Sequence, residues 1–198
     1  MASVRPATTN DLPRIGRALA AAFETDPIWH WLTPDIGHYR RRAPAFFAAD
    51  AKLKLTPHGR VLVSDDLGGC AVWCAPDHWK GTLAETARML APSGRLLGRR
   101  LLDGVRAIGA MEKVHPKDPP HWYLSVLGTD PDHQGKGIGS ALIRAVTDEC
   151  DRESMPAYLE SSKEENLAFY SRHGFVADEP IRLPKGGPLL WPMWRDPR

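Results

Sequence analysis

The spacing of apolar and polar residues divides the chain into helices and strands in mixed order. A short apolar piece, Val4 to Pro6, is followed by Thr8-Thr9-Asn10-Asp11, whose side-chain oxygens suit a helix start. Leu12, Ile15, Leu19, Ala22 and Phe23 then fall at helical spacing. Pro27 and Pro34 interrupt this pattern and leave Ile28-Trp29-His30-Trp31-Leu32 between them. A second helix is predicted from about Tyr39 to Leu53. Residues 60–75 read as a hairpin, in which Arg60-Val61-Leu62-Val63-Ser64 and Cys70-Ala71-Val72-Trp73-Cys74 flank the turn residues Asp65-Asp66-Leu67-Gly68-Gly69. From Thr82 to about Lys113 the pattern is helical, with a break expected near Pro92-Ser93-Gly94.

Pro116 to Pro120 reads as a loop, and Trp122-Tyr123-Leu124-Ser125-Val126-Leu127 as a strand. A glycine-rich loop follows, and behind it Ile138, Ala141, Leu142, Ala145, Val146 and Cys150 form the apolar stripe of a helix packed on a sheet. Ala157-Tyr158-Leu159-Glu160 is the next strand, which makes residues 122–160 a right-handed crossover. A short helix then ends at Gly174, placed for a left-handed cap. Two last strands, Phe175 to Leu183 and Leu189 to Trp194, flank Lys185-Gly186-Gly187-Pro188 as a terminal hairpin that could pair across a homodimer.

Composition adds limits. The chain has 198 residues, enough for one domain with a substantial core. A net charge of only +2 gives no reason to expect a nucleic-acid partner. The arginines around Arg95, Arg99, Arg100 and Arg106 read as a solvated helix face. No apolar run approaches the roughly 20 residues that span a bilayer, so no membrane partner is expected. The first residues do not read as a secretory signal. Cys70, Cys74 and Cys150 form no metal-like pattern and read as buried thiols; an odd count suits a reducing cytoplasm. No metal is expected.

The strongest chemical signal is the strand–loop–helix run through Asp130-Pro131-Asp132-His133-Gln134-Gly135-Lys136-Gly137-Ile138-Gly139-Ser140. Glycines let backbone approach a ligand, and the amides of a helix N-terminus favour an anion such as a pyrophosphate. A Walker A loop is excluded, because Gly128 lies too far back and Lys136 precedes Gly137. A dinucleotide fingerprint fits poorly, because its third glycine arrives one residue early, although Glu160 sits near where a ribose-binding acid would be. A tight turn without a ligand is the plain alternative. Gln134, Gly137 and Gly139 do match Gln/Arg-x-x-Gly-x-Gly/Ala in type and spacing.

About thirty residues on, Asn166-Leu167-Ala168-Phe169-Tyr170-Ser171-Arg172-His173-Gly174-Phe175 supplies a second motif in the expected order. With both motifs the chain resembles the GCN5-related N-acetyltransferase (GNAT) family, closely over residues 121–183 and in element order elsewhere. Within it the layout is most similar to puromycin N-acetyltransferase-like members, from which it departs at Asp26 and in a helical insert at about 79–115. The resemblance implies an α/β GNAT fold: one domain over 1–198, with a mixed, mostly antiparallel sheet of about seven strands flanked by helices. It also implies a V-shaped splay after the central strand.

The resemblance further implies acetyl-CoA as the acetyl donor, held by Gln134, Gly135, Lys136, Gly137, Ile138, Gly139 and Ser140, with Leu127, Gly128 and Thr129 beside the thioester. Asn166 would bond the pantetheine arm, unless it only caps its helix. Tyr170 would protonate the departing thiolate, or else is a buried structural tyrosine. Glu160 would act as base or orient the amine, or else is a surface acid at a strand end; His30, His121 and His133 are further possible bases. Asp26, Trp29, His30 and Trp31 would line an acceptor site for a small-molecule amine, the tryptophans alternatively filling core gaps. Other readings remain open: a non-catalytic acyl-CoA sensor, and a protein Nα- or lysine acetyltransferase.

Overall fold

The computed structural model describes residues 2–198. The order is β1 (Val4–Pro6), α1 (Leu12–Ala22), α2 (Pro27–Leu32), α3 (Ile36–Leu53), β2 (Gly59–Ser64), β3 (Gly69–Cys74), α4 (Leu83–Leu97), α5 (Leu101–Val114), β4 (Trp122–Thr129), α6 (Ile138–Arg152), β5 (Ala157–Ser161), α7 (Leu167–Ser171), β6 (Val176–Ala177), β7 (Ile181–Arg182) and β8 (Leu189–Arg195). Among the described residues, eight strands form one mixed sheet in the order β1-β2-β3-β4-β5-β8-β6, with β7 also on β8. Only β4 and β5 run parallel, joined through α6. This is the α/β architecture expected from the motifs. No helix among the described residues is long and apolar enough to cross a membrane.

Alternation along β2 and β3 builds a core on each face of the sheet. Val61, Val63, Cys70 and Val72 pack against Ile15 and Leu19 of α1 and Tyr39 and Phe47 of α3. Leu62, Ala71 and Trp73 point the other way, against Ile138, Leu142 and Val146 of α6. All six residues of β3 are buried, so both faces of the sheet are covered at its centre. The α6 stripe differs from expectation at one residue. Its i+4 row, Ile138, Leu142, Val146 and Cys150, advances about 40° around the helix per step. That drift buries Ile143 and Thr147 on the leading side and leaves Ala145 exposed on the trailing side.

Three expected boundaries move. The second long helix starts at Ile36, because the Asp35 carboxylate accepts the His38 amide at 3.0 Å. The long helical stretch breaks at Gly98, whose φ of +51° few other residues adopt, and α4 runs through Pro92. The strand expected over Phe175 to Leu183 is two short strands, separated by residues 178–180, where Pro180 has no amide to give a ladder.

One feature anchors β1 to the start of α1. Asp11 accepts both guanidinium nitrogens of Arg5, at 2.8 and 2.9 Å, and also the Thr8 amide and hydroxyl at 2.8 and 2.9 Å. The Arg5 hydrogen bonds, followed by those from Thr8, hold the Asp11 carboxyl well below the usual carboxylate range. A depressed native value means the stabilisation is complete above the unfolded value of about 3.9 and is lost as pH falls through the native one. Asp11→Asn is therefore expected to melt below the wild type at pH 7, with the gap in Tm closing as the pH is lowered toward about 2. A gap of constant size across a pH series of melts would contradict this.

Candidate functional site

The site begins with a defect in the β3–β4 ladder. Val72 pairs with Val126 but Trp73 pairs with Leu124, so Ser125 is the extra residue of a bulge. Its hydroxyl donates to the Val72 carbonyl at 3.1 Å. Bulges bend and twist the strand that carries them. The parallel β4–β5 ladder ends at the same level, with Leu124 opposite Leu159. Beyond it β4 stays with β3, while Glu160 and Ser161 stay with Pro192 and Trp191 of β8. The sheet splits there into a cleft of about 510 Å³.

The split leaves backbone groups of β4 facing the cleft. The Asp130 amide donates to the Gly68 carbonyl at 2.8 Å. Antiparallel ladders alternate, so the amides of Gly128 and Val126 also face β3, and those of Leu127 and Thr129 point into the split. The Thr129 carbonyl accepts the Gln134 side-chain amide at 3.2 Å, which ties the loop to the strand. The loop glycines serve two different needs. Gly135 and Gly137 adopt φ of +75° and +76°, and Gly137 is the N-cap of α6. A glycine cap brings no side chain to the first amides of α6, which an α-helix cannot satisfy internally. Gly139 gives close approach, since a Cβ there would lie 3.2 Å from the Phe169 ring and the ring would have to shift by a few tenths of an ångström. Free amides at a glycine cap, open above, fit a diphosphate.

On the far side of the cleft stands α7. Tyr170 is 8% exposed and packs in the core cluster beside Phe175, yet it lines the cleft. Burial and then the nearby Asp26 carboxylate push its phenol well above the ordinary tyrosine value, so it keeps its proton. Asn166 is exposed at the cleft; it occupies the position before α7 with no side-chain cap among the described residues. Glu160 presents its backbone to the cleft and turns its side chain, 2% exposed, onto the face opposite α6. There its Oε2 accepts the Tyr123 hydroxyl at 2.8 Å.

The cleft thus gathers Leu127, Gly128, Thr129, Gln134, Gly135, Gly137, Ile138, Gly139, Ser140, Asn166, Tyr170, Glu160 and Asp26 of the expected site residues. It does not gather four others. The Lys136 ammonium folds back onto the Asp132 carbonyl at 3.0 Å. Trp29 packs into an aromatic cluster, with ring centroids 5.1 Å from both Phe46 and Phe47 and 6.3 Å from Tyr39. His30 points to solvent, and Trp31 lies half-buried outside the cleft lining. All three sit on α2, which its own packing turns away.

Asp26 reaches the cleft as a buried cap. It accepts the Ile28 amide at 2.9 Å and the Trp29 amide at 3.4 Å, together with the Ser162 hydroxyl. Burial pushes its carboxyl up against the pull of these hydrogen bonds. Beside it the Lys163 ammonium donates to the Thr25 hydroxyl at 3.0 Å, so residues 25–26 and 162–163 strap α2 to the end of β5. Sequence spacing offered no sign of Ser125, Ser162 or Lys163 as cleft residues, nor of His115 beside Glu160. They arrive through a bulge, a strand end and a loop.

Residues 23–175 match the acetyltransferase (GNAT) family. The chain belongs to that family. A structure described as histone acetyltransferase HPA2 and related acetyltransferase, from Corynebacterium glutamicum, is 27% identical, with a TM-score of 0.73 over 100% of this chain and 98% of that one. An uncharacterized N-acetyltransferase of Schizosaccharomyces pombe is 27% identical over 187 residues, 87% of this chain and 74% of that protein. A mycothiol acetyltransferase of Acidimicrobium ferrooxidans is 36% identical over 99 residues, 46% of this chain and 31% of that protein. The family match accords with the split sheet and the glycine-capped helix start. Among the described residues, no cluster of His, Cys, Asp or Glu is arranged to hold a metal.

The position of Trp29 separates a packing role from an acceptor role. Trp29→Ala is expected to lower stability by about 3 kcal/mol, the low end for a truncated core aromatic. The KM for any acceptor should then change less than about threefold once the variant is assayed below its Tm. A normal Tm with a large rise in acceptor KM would contradict it.

Proposed function

We propose that this GNAT protein transfers acetyl from acetyl-CoA to a primary amine of a small molecule, by direct attack in a ternary complex. The observation that carries this reading is the split between β4 and β5. It has a glycine-capped helix start on one side, Tyr170 on another, and the Glu160 carboxylate behind the opposite face. Acetyl-CoA, when bound, supplies an activated thioester. The first amides of α6, freed by Gly137, would hold its diphosphate, and Asn166 would face its pantetheine arm.

The Leu127 and Thr129 amides point where a thioester carbonyl would lie, and one such preorganised donor is worth roughly 3 kcal/mol. Holding the thioester beside the amine removes much of the entropic barrier. Glu160, whose carboxylate lies behind the cleft wall, would take a proton from the incoming ammonium through an intervening water, leaving the nitrogen lone pair free to attack. Tyr170, kept protonated by its burial, gives its proton to the leaving sulfur. Three free, buried thiols suit a reducing compartment, the cytoplasm.

Enclosure of the Glu160 carboxylate by His115, Tyr123 and Tyr158 supports a small amine head over a broad peptide groove. The puromycin-like subgroup is a weaker proposal, since Asp26 is committed here as a cap. A protein acceptor is the second reading, favoured by the likeness to the Corynebacterium structure described as a histone acetyltransferase. Thiol release from acetyl-CoA against panels of small amines and lysine or N-terminal peptides separates the two. Tyr170→Phe is expected to lower kcat about 100-fold or more with little change in the KM for acetyl-CoA. Tight acetyl-CoA binding without turnover on any amine, or a Tyr170→Phe protein as active as the wild type, would contradict transfer by this route.

A further inference from the structure

Behind Glu160 lies a buried pair of histidines whose hydrogens the geometry assigns. His121 Nδ1 lies 2.8 Å from the Pro119 carbonyl, which can only accept, so Nδ1 carries a hydrogen. Burial, countered in part by that carbonyl, favours the neutral form of His121, and its Nε2 is then a bare acceptor. It lies 3.0 Å from His115 Nε2, so that nitrogen must be the donor. The second His115 nitrogen, Nδ1, faces Glu160 Oε1 at 3.7 Å, and both side chains are 2% exposed. Oε1 has no hydrogen-bond partner among the described residues, while Oε2 is occupied by Tyr123. With its hydrogen on Nε2, His115 turns the other ring nitrogen toward a carboxylate oxygen that has no partner, across a 3.7 Å gap wider than a hydrogen bond. A proton arriving on Oε1 gives the pair a donor and an acceptor, and a small closing of the gap would join them.

We propose that His115 is a positioning residue for acetyl transfer, whose Nδ1 shares the proton that Glu160 takes from the acceptor ammonium. The proposal rests on the reading of Glu160 as base. The N–H bond of the ammonium breaks, its electron pair stays on nitrogen, and the proton is held between Glu160 Oε1 and His115 Nδ1 until it returns to solvent through the cleft. The proton that Tyr170 gives to sulfur is replaced from the same nitrogen as the amide forms, so each turnover of an ammonium releases one proton.

The surroundings hold the pair in register. The Trp79 ring stacks on His115 with centroids 3.8 Å apart, and Tyr123 and Tyr158 meet its ring edge-on at 4.7 Å. Tyr123 and Tyr158 are pushed above the ordinary tyrosine value, first by burial and then by Glu160, and stay neutral. The remaining titratable neighbours act at one remove: Asp77 on His121, Cys74 on Tyr123 and Asp178 on Tyr158.

Two readouts test the proposal on the full chain. The first is the ¹⁵N spectrum of the histidine rings without substrate, followed over a pH series. At pH 7 His115 Nε2 should appear protonated and Nδ1 bare in the wild type and in Glu160→Gln, and on lowering the pH the wild-type Nδ1 resonance should move toward the protonated form at higher pH than that of Glu160→Gln. Nδ1 resonances that move together in the two proteins would overturn the shared proton. The second is the pH profile of kcat/KM. His115→Gln should lose about tenfold or more and shift the acid limb to lower pH, because the proton on Glu160 then lacks its acceptor, with the KM for acetyl-CoA unchanged. His115→Phe keeps the stack on Trp79 and serves if the glutamine variant fails to fold. A profile with the wild-type shape would overturn the positioning role. If the Nδ1 resonances move at different pH but Glu160→Gln turns over at the wild-type rate, the pair exists, and the proposal fails through the base reading instead.

Discussion

Everything at this site depends on one extra residue in β4. The Ser125 bulge bends β4 at the level where its pairing with β5 stops, and the sheet divides between two sets of hydrogen bonds. A continuous ladder would have consumed the Leu127 and Thr129 amides. The split leaves them facing a cavity, fixed by the β3 ladder on their other side. Preorganised donors of this kind act without rearranging, which is why their contribution exceeds that of similar groups in water. The Ser125 hydroxyl, bonded back to the Val72 carbonyl, adds a second tie across the bulge.

The two sides of the split are built by different physics. On the side proposed for the acetyl donor backbone dominates, with glycine conformations and a helix start capped by Gly137. The side chains there that shape the space do so by packing: Phe169 lies against Gly139, and α1 lies so close to β4 that a Cβ at Gly128 would sit 2.8 Å from Leu19. On the side proposed for the acceptor, side chains dominate. A carboxylate is buried among two tyrosines and a histidine pair, and the 25–26 to 162–163 strap closes one flank. A backbone-built anion site suits a cofactor shared across a family. A side-chain-built pocket can vary with the acceptor.

Much of the donor side was legible in the sequence because it is local. Gln134 to Gly139 and Asn166 to Tyr170 each lie within one turn or helix, so spacing alone carries the geometry. The alternation in β2 and β3 and the stripe on α6 gave both faces of the core, with Ala145 misplaced only because the stripe drifts. The acceptor side was illegible for the opposite reason. Glu160 meets His115 across 45 residues, through the end of α5 and a proline-rich loop with no periodicity to read. Lys136 and Trp29 were misjudged because type and proximity in sequence say nothing of side-chain direction. One folds back on its own loop, and the other turns into an aromatic cluster.

The central claim is that acetyl-CoA occupies the split between β4 and β5 against the start of α6. Hydrogen–deuterium exchange of the full chain with and without acetyl-CoA tests it at the amides concerned. Slower exchange is expected in peptides covering Leu127 to Ser140, with α4 and α5 unchanged. Protection confined to another part of the chain, or no protection at saturating acetyl-CoA, would contradict it.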